Sequence, residues 1–287
     1  MREAQVSLLA EVGPNAEGPL PWVEREYTPV SSAKQWELGK CDLLVKVYPG
    51  GMASSWLARA RPARVWLSTP QKTLHVPALV AEGRTHRPAS VLLLLAGTGV
   101  VALPQLLCHR DPTRQLGIPT PRRDQLHVPL DVVISSREDD VLLLPQLKQW
   151  CQGCNSGASS GSGGGSGSTD GSGAGGAGGA GGAGGNEARG VRRCTLLLTP
   201  PNQSEPPFPD AVGTGDAAEA EGALHGLPNC RILRQQLSAD VLVDATARMP
   251  RPCRVVVSGP GPFNAAARRM LVDGGLIDEE DVTILSA

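Results

Sequence analysis

The chain has 287 residues, with 27 lysines and arginines against 28 aspartates and glutamates, and a formal net charge of −1 at pH 7. This balance, without a basic stripe and interleaved aromatic residues, argues against a nucleic-acid-binding function. The longest apolar run, residues 91–96, is too short to cross a bilayer, and the first residues match neither a signal peptide nor a presequence. Seven cysteines, an odd number in a long chain, argue against a secreted disulfide framework. We therefore expect a soluble intracellular protein, with membrane association left open.

The first eighty residues are predicted to be rich in β-strand. Extended segments at 5–12 and 20–30 flank a Gly-Pro-Asn turn, which is a hairpin pattern. Residues 41–48 alternate enough for a half-buried strand, and the glycines that close it are followed by a short helix at 52–60, capped by Gly51 or Ser54. One more strand is expected at 65–67, before a proline-rich connection.

The next segment predicts a buried strand that turns sharply into a helix. An apolar run at 91–96 is followed by Gly97, Gly99 and Ala102 in the pattern Gly-x-Gly-x-x-Ala, and a helix is expected over 103–110. Glycines at such a turn let the backbone approach an anion, and the helix N-terminus presents amide groups to it. The pattern alone is equally typical of a glycine turn in an ordinary α/β unit, so both interpretations remain open at this point.

The rest of the chain alternates strands and helices, which predicts a parallel, doubly wound sheet. Strands are expected at 128–134, 194–198, 254–257 and 282–285, and helices at 139–150, 239–248 and 263–272. Two insertions interrupt the pattern. Residues 155–188 are almost wholly glycine, alanine and serine, and 200–228 are rich in proline, glycine and acidic residues. Both are expected to be mobile loops without chemistry of their own.

Six short motifs resemble the ferredoxin–NADP reductase superfamily, and most closely its NADH–cytochrome b5 reductase branch. The FAD-binding signature is matched by REYTPVSS at 25–32, DLLVKVY at 42–48 and GGMAS at 50–54. The nucleotide-binding half is matched by AGTG at 96–99, SREDDVLL at 136–143 and SGPGPF at 258–263. The resemblance implies a partial antiparallel FAD-binding β-barrel over residues 1–82, followed by an NAD(P)-binding α/β domain over 83–287 that carries the two disordered insertions.

The resemblance also implies which residues hold the cofactors. A cation such as Arg25 and the helix start after Gly51 suit the flavin diphosphate, and Tyr27 offers a flat face to the isoalloxazine ring. The alternative is that the two tyrosines are ordinary amphipathic strand residues. The residues expected at FAD are Arg25, Tyr27, Thr28, Ser31, Lys46, Tyr48, Gly50, Gly51, Met52 and Ser54; those expected at NADH or NADPH are Gly97, Thr98, Gly99, Ser136, Arg137, Gly259 and Pro260; and those expected at the reacting atoms are Thr28 and Ser258.

The choice between NADH and NADPH depends on the residues after the strand that follows the glycine turn. An acidic residue there would hydrogen-bond a ribose 2′-hydroxyl, whereas an arginine suits a 2′-phosphate. Here Ser135, Ser136 and Arg137 precede any acid, which favours NADPH, while Glu138 remains available for NADH. An Arg137 that simply opens a helix and faces solvent is an equal alternative.

Two departures from the family pattern bear on function. Ser258 stands where cytochrome b5 reductases have a cysteine near the hydride path, so slower turnover is expected. Only twenty-four residues precede Arg25, too few for the strands that the family's barrel places before this motif. The barrel is therefore expected to be incomplete, either because the sequence is truncated at its N-terminus or because a partner completes it.

The leading hypothesis is an FAD enzyme that takes a hydride from NAD(P)H and passes electrons to a haem or iron–sulfur protein such as cytochrome b5. The alternative is a non-catalytic subunit or interaction module that retains the reductase fold. A hydrolase has little support, because the five histidines form no recognisable Ser–His–Asp arrangement. A metal site is not expected, because Cys151-x-x-Cys154 has no second ligand pair in the sequence.

Overall fold

The structure is a computed structural model, and it describes residues 2–11, 22–31, 35–36, 38–47, 51–59, 65–68, 71–75, 88–108, 129–152, 191–201 and 214–286. The predicted Gly-Pro-Asn turn and the glycine-rich insertion at 155–188 lie outside these residues, as do Tyr48, Gly50 and part of the 200–228 segment. Among the described helices, none has the length and apolar character needed to cross a membrane.

The front section contains a four-stranded antiparallel sheet around its first strand. Strand β1 (Arg2–Glu11) pairs with β2 (Trp22–Tyr27), with Val6 opposite Tyr27. The last residues of β1 also pair with β3 (Val65–Leu67), and its first residues pair with β4 (Gln71–His75). The predicted hairpin strands and the strand at 65–67 are confirmed. Strand β4 lies where a proline-rich connection was expected.

The predicted strand at 41–48 is wrong over its described residues. Residues 41–47 form no regular strand, and only Leu43 makes an isolated antiparallel bridge, with Pro29. The physical reason is a side chain that takes the place of a backbone partner: the Asp42 amide donates to the Ser31 hydroxyl at 3.0 Å. The Asp42 carbonyl still accepts from the Val30 amide at 2.9 Å, so the segment follows β2 without extending a ladder.

Helix α1 (Met52–Arg59) confirms the short helix predicted after the glycines. It begins directly after Gly51, whose carbonyl accepts from the Ser55 amide at 2.9 Å. Its buried side chains, Ala53 and Ser54, are small, whereas Met52 is half exposed.

The rear section is a six-stranded parallel sheet, as predicted. In chain order its strands are β5 (Ser90–Ala96), β6 (Leu130–Arg137), β8 (Arg193–Thr199), β10 (Cys230–Leu233), β11 (Cys253–Gly259) and β12 (Val282–Ser286). Their spatial order is β10-β8-β6-β5-β11-β12, so the direction of winding reverses between β5 and β11. In sheets of this kind, ligands bind outside the carboxyl ends of the strands at the reversal point.

Both faces of this sheet are buried, which explains the continuous apolar run of β5. Leu93 and Leu95 belong to the core on one face, and Leu92 and Leu94 to the core on the other, as the twofold period of a strand requires. The first core is closed by helices α2 (Ala102–Cys108), α3 (Leu144–Gln152) and α4 (Ala217–Leu224), and the second by α5 (Ala239–Ala247) and α6 (Gly261–Arg268). The sheet is therefore doubly wound.

Three local predictions in the rear section need correction. The helix expected at 139–150 begins at Leu144, because Val141–Leu142 forms the short strand β7, paired with β9 (Thr214–Gly215), and Leu143 adopts a positive φ of 55°. The segment 200–228 is not wholly a loop, since it contains β9 and α4. The Asp216 carboxylate caps α4 by accepting from the Glu219 amide, and alanines of α4 enter the core. Strand β10 was not predicted.

Candidate functional site

The glycine turn lies at the reversal point of the sheet, beside the end of β11. Strand register places Ala96 opposite Ser135 on one side, and Leu95 opposite Ser258 on the other. The turn itself is a 3-10 helix over Gly97–Val101 that leads directly into α2. The predicted residues Gly97, Thr98, Gly99, Ser136, Arg137, Ser258, Gly259 and Pro260 are thus brought to one edge of the sheet.

Gly99 and Gly259 allow two stretches of backbone to touch. A Cβ added to Gly99 would lie 2.1 Å from the carbonyl oxygen of Ser258, and one added to Gly259 would lie 3.0 Å from the Cβ of Ala96. Neither strand end can move aside without breaking the ladder. Ser258 itself is buried, with 5% of its surface exposed.

Gly97 has a different role from Gly99. Its φ is +52°, a left-handed conformation that favours glycine, and no atom lies within 4 Å of an added Cβ. The space over Gly97 is therefore free of protein, at a point where the first amides of a helix lack partners within the helix. This arrangement fits the pyrophosphate of a dinucleotide, because an anion could approach the main chain closely there.

Acidic side chains engage the cations at the end of β6. The Arg137 guanidinium donates to both Asp139 carboxylate oxygens, with Nε to Oδ1 at 2.9 Å and Nη2 to Oδ2 at 2.8 Å. Glu138 accepts from Arg234 at 2.8 Å. Arg137 therefore reaches the predicted edge with its charge already paired, and both candidate acids have a basic partner within the chain.

The first flavin motif follows β2 and the residues after it. Arg25 is exposed, and its Nη1 donates to the Glu24 carbonyl at 2.6 Å. Tyr27 is half-buried; burial raises the pKa of its phenol above the ordinary value, and the Arg25 charge offsets part of that rise. Thr28 is half-buried beside it. Ser31 is buried and its hydroxyl holds the Asp42 amide, so its observed contact is structural.

Lys46, of the second flavin motif, forms an ion pair across the two sections of the chain. Its ammonium lies 3.0 Å from the Asp140 carboxylate, and the two side chains are only 19% and 11% exposed. Nearby, Leu44 packs against the core of the parallel sheet. The segment after Pro29 is thereby attached to the carboxyl edge of the sheet, close to Arg137, with which Asp140 forms a β-bridge.

The third flavin motif supplies a helix start. Gly51 and Met52 precede the first free amides of α1, which has no acidic residue in its first turn. Such a terminus suits a diphosphate, because both its amides and its dipole favour a negative charge. Ser54 is buried one turn into the helix. Tyr48 and Gly50 lie outside the described residues, so their predicted roles stay predictions.

Asp139 and Asp140 were missed as site residues. Both stand inside the motif SREDDVLL, so the acidic pair was visible in the sequence. Their partners were not, because Lys46 is ninety-four positions away from Asp140. The adjacent acids gave the only available signal.

Taken together, the doubly wound sheet, the glycine turn at its reversal point and the antiparallel front section define the fold of flavin-dependent reductases of the ferredoxin–NADP reductase type. The sequence model of the oxidoreductase FAD-binding domain matches residues 16–74, which include all three flavin motifs. No curated protein sequence matches the chain.

Solved structures support the same fold. The cytochrome b5 reductase domain of Ulva prolifera nitrate reductase is similar with a TM-score of 0.55 at 16% identity, over 99% of this chain and 85% of that one. Ferredoxin–NADP+ reductase from Plasmodium falciparum gives 0.43 at 8% identity, over 100% and 84%. A siderophore-interacting protein from Aeromonas hydrophila gives 0.40 at 13% identity, over 99% and 82%.

These findings confirm the resemblance to the ferredoxin–NADP reductase superfamily. The fold is that of the superfamily, and residues 16–74 are an oxidoreductase FAD-binding sequence. The chain is accordingly a flavin-dependent oxidoreductase in its general class, with FAD as the flavin.

Proposed function

We propose that this protein transfers a hydride from NADH or NADPH to FAD and passes the electrons to a haem or iron–sulfur protein, with cytochrome b5 as one candidate acceptor. The observation that carries the proposal is the combination of an FAD-binding sequence over 16–74 with a glycine turn at the reversal point of a parallel sheet. Bound FAD would supply the chemistry, since it accepts a hydride and can release electrons one at a time.

The front section would hold the flavin through three kinds of group. The exposed Arg25 guanidinium and the amides at the start of α1, after Gly51, suit the diphosphate. Tyr27 offers an aromatic face that is partly exposed, and the neighbouring Thr28 hydroxyl is a hydrogen-bonding group for the ring edge. Tyr48, Gly50, Met52 and Ser54 are proposed to line the same site.

The rear section would hold the nicotinamide nucleotide. The open space over Gly97 suits its pyrophosphate, and the close approach of Gly99 to Ser258 keeps the β11 end beside that turn. Ser258, Gly259 and Pro260 are proposed to orient the nicotinamide. Because Ser258 is buried and lacks a thiol, its part would be to position the ring.

The structure weakens the preference for NADPH that the sequence favoured. A 2′-phosphate would have to compete with Asp139 for the Arg137 guanidinium, and Asp139 would repel it. We therefore propose that NADH is used at least as well as NADPH.

A spectroscopic experiment tests the proposal. Protein purified with FAD should be yellow, and the flavin absorption should bleach anaerobically when NADH or NADPH is added. Arg25→Ala should weaken FAD retention about tenfold, which corresponds to the loss of one charge-assisted hydrogen bond, while the unfolding midpoint of the FAD-free protein stays unchanged. Arg59→Ala, at the far end of α1, is the matched control and should retain FAD normally.

A second candidate function is a non-catalytic interaction module with this fold. It is favoured by the ion pairs that already occupy Lys46 and Arg137, two cations that the resemblance assigns to cofactors. Colourless protein that cannot be reconstituted with FAD would support this candidate and contradict the enzymatic one. Flavin that binds but is not reduced by either nucleotide would contradict hydride transfer.

A further inference from the structure

Three cysteines from distant parts of the chain meet at the edge of the parallel sheet opposite the glycine turn. They are Cys151 near the end of α3, Cys194 near the start of β8 and Cys230 at the start of β10. Their sulfur atoms all lie within 4.8 Å of one another. Since the strands are parallel, the amino ends that carry Cys194 and Cys230 lie far from the carboxyl edge where the nucleotide is proposed to bind.

The backbone around the three thiols is tied together by one side chain. The Asn229 amide donates to the Cys151 carbonyl at 3.1 Å and to the Val191 carbonyl at 3.0 Å. The Asn229 carbonyl accepts from the Cys194 amide at 2.8 Å, and the register places Cys230 directly opposite Cys194. The positions of the three sulfurs are therefore determined by main-chain contacts of all three elements, which is how a preorganised ligand set is built.

The geometry suits a metal ion with little adjustment. A metal–sulfur bond of about 2.3 Å in a tetrahedral site separates the sulfurs by about 3.8 Å, so each pair needs to close by about 1 Å at most. Cys151 and Cys194 are 0% and 2% exposed, whereas Cys230 is partly exposed and gives an ion access from solvent. No disulfide joins these three described cysteines. Simple core packing of thiols would need neither their convergence nor the access at Cys230.

We propose that Cys151, Cys194 and Cys230 form a binding site for one thiophilic d10 metal ion, Zn2+ or Cu+. Three sulfur ligands select soft ions of this kind over Mg2+ or Ca2+, which prefer oxygen. Binding would replace the three thiol protons, which are released to solvent, by three metal–sulfur bonds, and no electron transfer is involved. The ion would join α3 to β8 and β10, so its role would be structural. The proposal does not depend on the proposed reductase activity.

Metal titration of the full chain tests this. Protein reduced with a non-thiol reductant and freed of metal would be titrated with Zn2+ and separately with Cu+, each against a coloured chelator, and the bound metal counted by mass spectrometry. We expect about one ion per chain in at least one titration, and a higher unfolding temperature in its presence. The ion that binds more tightly identifies the natural ligand between the two.

Variants assign the site. Cys194→Ser and Cys230→Ser should each weaken metal affinity at least a hundredfold and abolish the metal-dependent shift in unfolding temperature. Cys253→Ser is the matched control, because Cys253 is a buried cysteine at the start of β11 with no place in the cluster. Cys230→Ala, at a partly exposed position, keeps the test decisive if Cys194→Ser does not fold.

Three results would overturn the proposal. They are no metal bound by the folded protein in either titration, metal binding that Cys230→Ala leaves unchanged, and a disulfide between two of the three cysteines in protein isolated without oxidant. Each can occur in protein that binds FAD normally, so failure here is distinguishable from failure of the proposed function.

Discussion

Asp139 decides what Arg137 can offer to a nucleotide. The residue type of Arg137 indicates a 2′-phosphate site, but the structure gives its guanidinium a bidentate carboxylate partner two residues later. An arginine with a paired charge attracts a phosphate far less than a free one, since the phosphate has to displace an acceptor of the same sign. Cofactor preference at this edge is thus a property of the pair.

Asp139→Asn should raise the use of NADPH relative to NADH by about tenfold, near the lower end of what a hydrogen bond to a charged group contributes. The measurement is the ratio of kcat/KM, or of anaerobic flavin reduction rates, for the two nucleotides. Arg137→Ala combined with Asp139→Asn is the control, and it should lose the gain. A gain that persists in the double variant would show that Asp139 does not act through Arg137.

At the scale of elements, the site depends on how closely the end of β5 approaches the end of β11. Gly99 has no space for a side chain, because main-chain atoms of Ser258 and Gly259 lie at 2.1 Å and 2.8 Å from where its Cβ would be. These atoms belong to a strand paired on both sides, with β5 and β12, so they cannot shift alone. Any larger residue would push the turn away from β11.

Gly99→Ala should therefore lower the free energy of unfolding by about 1–3 kcal/mol, the usual cost of overpacking, and weaken nucleotide binding. Urea unfolding at equilibrium measures the first effect. Gly222→Ala is the matched control: Gly222 lies inside α4 with no atom within 4 Å of an added Cβ, and should gain about 0.5–1 kcal/mol from helix propensity. Equal stability of Gly99→Ala and the wild type would contradict the close approach.

For the whole molecule, Lys46 and Asp140 join the flavin-motif section to the nucleotide-binding section. The two groups are mostly removed from water, so either charge left alone would lack both solvent and partner. Leu44 adds an apolar contact with the core of the sheet beside this pair. The pair holds the segment that carries the second flavin motif against the edge where the nucleotide is proposed to bind.

Lys46→Met and Asp140→Leu should each lower the free energy of unfolding by about 2 kcal/mol, since each leaves one partly buried charge without its partner. The double variant should recover most of the loss, because both charges are removed together. Chemical unfolding of the four proteins forms a double-mutant cycle. Strictly additive losses would mean that the two groups do not interact. FAD retention measured on the same proteins tells whether Lys46 also serves the flavin.

Sequence patterns predicted elements most accurately where local composition and burial agree. The run at 91–96 could only be a strand buried on both faces, and strict alternation of strands and helices led to the doubly wound sheet. The prediction was wrong where a tertiary contact replaced a local preference. Residues 41–47 have a strand-like pattern, yet the Ser31 hydroxyl takes a backbone amide of the expected ladder. The acidic stretch that contains α4 was expected to be loop, because burial of its alanines depends on a distant core.

The sequence by itself determined the class of the protein, because the flavin and nucleotide motifs are short, local and defined by residue type. Only the tertiary structure decided which charges remain available and which cysteines meet. Arg137 and Lys46 acquire their carboxylate partners through a turn and a contact across the chain, and Cys151, Cys194 and Cys230 converge because parallel strands and one asparagine align three separate elements. Such pairings depend on distances in space that residue order does not encode.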